Sequence, residues 1–203
     1  MNYVERFLSK RRIELRQLSH EKICLFMLLV CENMLPAYQI FTEEEKWGRP
    51  QVLKDILSLL EESIWKKKLS KSLIKKLDKE LDGNSPDTAE FENPKASYAL
   101  DSCAAFGEAL LYLQEREIEY VINVMRCTLD TVDMYIQIKH DYDPNDIKLD
   151  EKIEKDEFMQ NEFNRQTKLL TELNNLQTLN SEVIQRFKFI NERFGKVIDL
   201  EAI

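Results

Sequence analysis

Apolar positions recur along this chain at intervals of three and four residues, and no run alternates with period two for long enough to make a strand. Residues 3 to 18 set Val4, Phe7, Leu8, Leu15 and Leu18 on one side and Arg6, Arg12 and Arg16 on the other, which predicts an amphipathic first helix. From Ile23 to Cys31 the apolar run is unbroken. A helix that is apolar on every side belongs at the centre of a bundle. At about 1.5 to 3 kcal/mol for each large side chain buried, this one contributes roughly 15 to 25 kcal/mol gross, an upper bound. Ser19, with Lys22 rather than an acid three positions on, is half of a capping box. Pro36 predicts a kink or break near Leu35, and Gly48 a stop.

Pro50 opens a third helix bearing Leu53, Ile56, Leu57, Leu60 and Ile64, and a lysine-rich helix follows with Leu69, Leu73, Ile74, Leu77 and Leu81. Residues 82–96 are rich in turn formers and read as a flexible loop. Beyond it, Leu100, Cys103, Ala104, Gly107 and Leu111 make a small-residue face, and Ile118, Val121, Ile122, Met125, Leu129, Val132 and Ile136 a strong helical stripe. An acidic linker, about residues 140–156, interrupts the pattern at Pro144. The last helix, about Lys155 to Phe194, carries Leu169, Leu176, Val183 and Ile190 every seven residues, interleaved with Leu173, Asn180, Phe187 and Phe194. Leu170, Leu179 and Ile184 widen that stripe beyond a two-stranded seam, so the helix packs on its own bundle, with a homodimer through it as the alternative. These elements predict an all-α fold, a single bundle of six to seven helices over residues 1–203.

Composition supports this. The 203 residues hold only four glycines and five prolines, too few turn formers for a sheet protein, and 43% hydrophobic residues, enough for one sizeable core. The net charge of −8 is unevenly spread: residues 66–80 carry seven lysines against two acids, whereas residues 82–157 carry 19 acids against 7 basic residues. Such an acidic half repels nucleic acid and anionic membranes and attracts a basic partner, although charge runs are commonly no more than solvated faces. The apolar run meets Glu32 before it reaches spanning length, and no cleavage site follows it, so neither a membrane span nor a signal peptide is expected.

The candidate chemistry is mostly exclusion. Cys24, Cys31, Cys103 and Cys127 each lie in an apolar pattern without a Cys-x-x-Cys pair, as reduced core residues of a cytoplasmic protein do. Cys24 and Cys31 share a helix face but stand two turns apart, too far for a disulfide. His20 and His140 sit in no metal-ligand spacing, and the four glycines stand alone, so no phosphate loop is present. Asp141, Asp143 and Asn145 imitate a calcium loop, but Asp146 and Lys152 occupy the places that need glycine and glutamate. Glu115 and Glu119 lack the partner histidines of a di-iron bundle. No cofactor, no metal and no catalysis are expected.

The residues Cys31, Glu32, Pro36, Tyr38 and Phe41, in the order Cys-Glu-x-x-x-Pro-x-Tyr-x-x-Phe, are followed by Gly48 and by Ile56-Leu57-x-Leu59. With Asp101-Ser102-Cys103-x-Ala105 and Glu162-Phe163, they make the chain resemble the YjaG-like family, the domain of unknown function DUF416. That family tends to have tryptophan where Phe163 stands, and residues 66–95 depart from it. The resemblance implies a small, all-helical bacterial protein, assigns no catalytic residue, and hints at bacterial signalling.

Together these readings lead to a non-catalytic binding protein whose basic protein partner meets Asp141, Asp143, Asp146, Asp150, Glu151, Glu154, Asp156 and Glu157. The most concrete form is an immunity protein that neutralises a bacterial nuclease toxin, for instance one of contact-dependent growth inhibition, since a nuclease presents positive charge to phosphates. A cytosolic regulator or adaptor in bacterial signalling is the alternative. An enzyme with an unrecognised carboxylate site stands behind both.

Overall fold

A computed structural model describes residues 2–66 and 68–201. Among them it contains nine α-helices and one 3-10 turn, and no strand. In chain order the helices are α1 (Tyr3–Leu15), α2 (His20–Glu45), α3 (Pro50–Trp65), α4 (Lys71–Asp82), α5 (Lys95–Glu115), α6 (Ile118–His140), α7 (Leu149–Lys155), α8 (Glu157–Asn175) and α9 (Ser181–Glu192). One contiguous core runs through all nine.

The apolar run is the axis, as expected. Every side chain from Ile23 to Cys31 is buried on α2, which packs against α3, α5, α6, α8 and α9. By length and composition α2 could cross a membrane, but 67% of its most apolar window is buried inside the protein, so its apolar surface is used by the core. Ser19 makes no side-chain cap bond, consistent with the missing acid. Pro36 does not break the helix. It cannot donate to the Glu32 carbonyl, and two residues on the Ser102 hydroxyl of α5 donates to the Met34 carbonyl at 2.8 Å. Lys46, left-handed at φ 53°, and then Gly48 end the helix.

Three expectations are corrected. The heptad helix is two helices: α8 ends at Asn175, and Asn180 is the cap of α9, its side chain accepting from the Val183 N–H at 2.8 Å. Asn180 therefore breaks the helix rather than lining a seam, and Leu169, Leu173, Ile184 and Phe187 are buried in the protein's own core. The acidic linker contains α7, pinned by buried Ile153, and these two changes raise the helix count from six or seven to nine. On α5 the small-residue face is out of phase: Leu100 and Ala104 are exposed, while Ala99, Ser102, Ala105, Phe106 and Ala109 are buried between α2 and α6.

The connection from α4 to α5 is tied to the end of α2. The Tyr38 hydroxyl donates to the Asn84 carbonyl at 2.7 Å, and Phe91 packs edge-on against Phe41 and Trp47.

Candidate partner-binding surface

The acidic residues singled out from the sequence lie where α6 ends, α7 crosses and α8 begins. Asp141 closes α6 in the left-handed region at φ 48°. Asp143 folds the loop, accepting from the Asn145 N–H at 2.8 Å. Asp146 accepts from the Lys148 N–H at 2.8 Å and from Lys152 at 2.7 Å, and these two bonds hold its carboxyl below the usual range. Asp156 caps α8 through the Phe158 N–H at 2.9 Å and faces His140 at 3.0 Å.

The glutamates are drawn into pairs. Both carboxylate oxygens of Glu154 accept from the Nη2 of Arg6 on α1, at 2.8 and 2.9 Å, which fastens α7 to the N-terminal helix. Glu151 pairs with Lys155 at 2.6 Å, and Glu157 lies 3.6 Å from Lys139. Asp141, Asp143 and Asp150 are exposed and have no cationic partner among the described residues. The segment is thus a surface braced from within, with part of its negative charge left unmatched.

Its centre is apolar. Ile147 is 97% exposed between Asp146 and Lys148, the most exposed large hydrophobic residue among those described. Sequence reasoning missed it, because an isolated isoleucine in an acidic loop has no periodic partner. The available signal was its position one residue before Lys148, inside a segment otherwise without apolar side chains between Tyr142 and Leu149.

The structure also adds acids that the sequence left scattered. Asp133 of α6 accepts from the Tyr3 hydroxyl and from Gln137, both at 2.5 Å, while Asp101 of α5 accepts from Thr131 at 2.8 Å. Burial pushes the Asp101 carboxyl up to about 6, with the Thr131 bond opposing and Asp130 adding to the rise. Burial likewise raises Asp130. No group of three or more His, Cys, Asp or Glu side chains among the described residues is arranged to hold a metal ion.

Glu162 and Arg165 form an ion pair inside the bundle, 2% exposed each, with Gln166 donating to Glu162 at 2.7 Å. Of the residues that carry the family resemblance, Glu162 is the most deeply placed charge.

Comparison with known proteins bears on the whole chain. The family model described as "Protein of unknown function (DUF416)" matches residues 10–195. The "Uncharacterized protein YjaG" of Escherichia coli (strain K12) is 26% identical over 123 residues, which cover 60% of this chain and 62% of that protein. The protein of the same name from Salmonella typhimurium matches to the same extent. The aligned region therefore spans less than two thirds of these curated relatives. A solved structure, that of a DUF416 family protein from Shewanella baltica OS155, superposes with a TM-score of 0.79 at 27% identity, covering 98% of this chain and 97% of that one.

Proposed function

This chain belongs to the DUF416 family, and on that premise we propose that it is a non-catalytic binding protein whose surface around Ile147 covers a basic protein partner. The observation that carries this reading is an apolar side chain, 97% exposed, in an acidic segment whose Asp143 and Asp150 are exposed with no cation beside them. Interfaces gain most of their affinity from a few buried apolar anchors inside a polar rim. Unmatched rim carboxylates add encounter rate and discrimination toward a basic surface. The internal pairs of Asp146, Glu151 and Glu154 support the same reading, because a pre-ordered surface loses less entropy on docking.

A nuclease toxin is the partner class we favour, since its phosphate-binding face is basic, and the chain would then act as its immunity protein. Four free cysteines support a reducing, cytoplasmic setting.

The test is co-expression with the product of the neighbouring gene, followed by binding kinetics on the isolated pair. Ile147→Ser is expected to speed dissociation. Asp143→Lys with Asp150→Lys is expected to slow association, with a matching flattening of its salt dependence. A partner retained with unchanged kinetics by both variants would remove this surface from the interface.

A further inference from the structure

The first two motifs of the family resemblance lie on different helices, α2 and α5, and the structure brings them together. Ser102 of the second motif donates to the Met34 carbonyl, within the first. Thr131 of α6 donates to Asp101, also of the second motif. Against this junction lies a cavity of about 370 Å³, lined by Thr131 and walled by Met34, Ala37, Ile40, Val197, Ile198 and Leu200. The last three belong to the segment after α9, which folds back over α2. Its size is that of a small-molecule site.

The polar groups at one end are uneven in charge. Glu32 and Glu192 line the cavity, and Glu61 stands close behind. Lys188 is the cation among them, 3.0 Å from Glu32 and 3.6 Å from Glu61. Lys196, which also lines the cavity, is paired with Glu201 at 3.4 Å. Glu32 and Glu61 thus share the Lys188 ammonium, and Glu192 has no cation within ion-pair distance among the described residues. Burial pushes the Glu32 carboxyl above its usual range, Lys188 pulls it back, and Glu61 and Glu192 push it up again. Acceptors are also in excess: Pro36 leaves the Glu32 carbonyl without its helical donor. The Asn33 amide is engaged, donating to Asn191 at 2.8 Å, and Asn191 donates in turn to the Leu29 carbonyl at 3.0 Å. An anionic ligand would meet like charge here, and a neutral one would leave the surplus unanswered.

We propose that this cavity binds a small organic cation, with an apolar body between α2 and the C-terminal segment and an ammonium group against Glu32 and Glu192. The apolar walls select the body and the surplus carboxylates select the head. This site is separate from the surface around Ile147.

The probes are 2-phenylethylamine and hexylamine, one flat body and one linear, compared with 2-phenylethanol and phenylacetate on the full chain at neutral pH. Calorimetry supplies the affinities, and methyl NMR shifts at Ile40, Val197, Ile198 and Leu200 locate the binding. Saturable binding of at least one amine is expected, with the alcohol roughly tenfold weaker and the acid silent, as for loss of one charge-assisted hydrogen bond. Glu32→Gln should weaken the amine roughly tenfold and leave the alcohol unchanged. Should that variant fold poorly, Glu192→Gln, on an exposed side chain, reads the same charge without touching the core, and Ala37→Leu should exclude every probe. Two results would overturn the proposal: neither amine saturating, or amine and alcohol binding equally with no response to the charge-removing variants.

Discussion

At Gly48 the backbone sits at φ +81°, and a Cβ there would stand 2.6 Å from the Tyr38 hydroxyl oxygen. That hydroxyl is committed, donating to the Asn84 carbonyl and receiving the Arg49 N–H at 3.4 Å. Gly48→Ala combines a left-handed conformation with a close contact, and is expected to cost about 1–3 kcal/mol in urea denaturation. A midpoint equal to the parent's would mean that the turn relaxes freely. The cysteines follow from burial alone. It pushes the thiols of Cys24, Cys103 and Cys127 up to about 12, and that of Cys31 further still. Thiolate is the reactive form. An aromatic disulfide reagent at pH 8 should therefore label the native protein far more slowly than the urea-unfolded chain, beginning with the half-exposed Cys127, and no Cys24 to Cys31 crosslink should form. Rapid stoichiometric labelling of the native protein would show that these side chains open to solvent.

Between residues and the whole molecule, the helices show what period alone can convey. The burial of α2 and the stripe of α6 were legible because apolar runs and three-four spacing report directly on packing. The break between α8 and α9 was not. Seven-residue spacing continues across Leu176 and Asn180, and only the cap bond from Asn180 to the Val183 N–H shows that the chain turns there. Asparagine at such a position suits a polar seam residue and an N-cap equally well, and tertiary packing decides between them. Asn180→Ala is accordingly expected to lose about 1 kcal/mol of stability, in the range of other cap removals. A gain of stability, with a concentration-dependent melting temperature, would restore the seam reading. For the same reason α7 escaped notice: seven residues with a single buried side chain, Ile153, carry too little periodicity to stand out from an acidic run. The candidate surface was legible as charge but not as a docking site, since pairings such as Glu154 with Arg6 span most of the chain.

Over the whole molecule the carboxylates divide into two sets that act on stability in opposite directions with pH. Glu5, Glu44 and Glu119 are held below their usual range by Arg126, Lys95 and Arg12 respectively, so their contribution is present above the unfolded value and is lost as pH falls through the folded one. The carboxylates of these pairs are open to solvent, although Lys95 is buried, and screening keeps their effect small. Asp101 is opposite in sign and is only partly exposed. Its carboxyl rises from 3.8 to about 6, so the folded state holds the proton more tightly than the unfolded chain does. Its stabilisation is complete below pH 3.8 and is lost as pH rises through about 6, on the order of 2–3 kcal/mol in all. This desolvated group should dominate, and stability should fall between about pH 4.5 and 6.5, and level off above that. Asp101→Asn keeps an acceptor for the Thr131 hydroxyl and removes the charge. Its stability relative to the parent, measured by chemical denaturation, should therefore rise steadily from pH 4 to 7 and stay constant beyond. Parallel profiles for the two proteins would mean that Asp101 is solvated in the folded state and that the descent belongs to the self-repulsion of a chain with a net charge of −8.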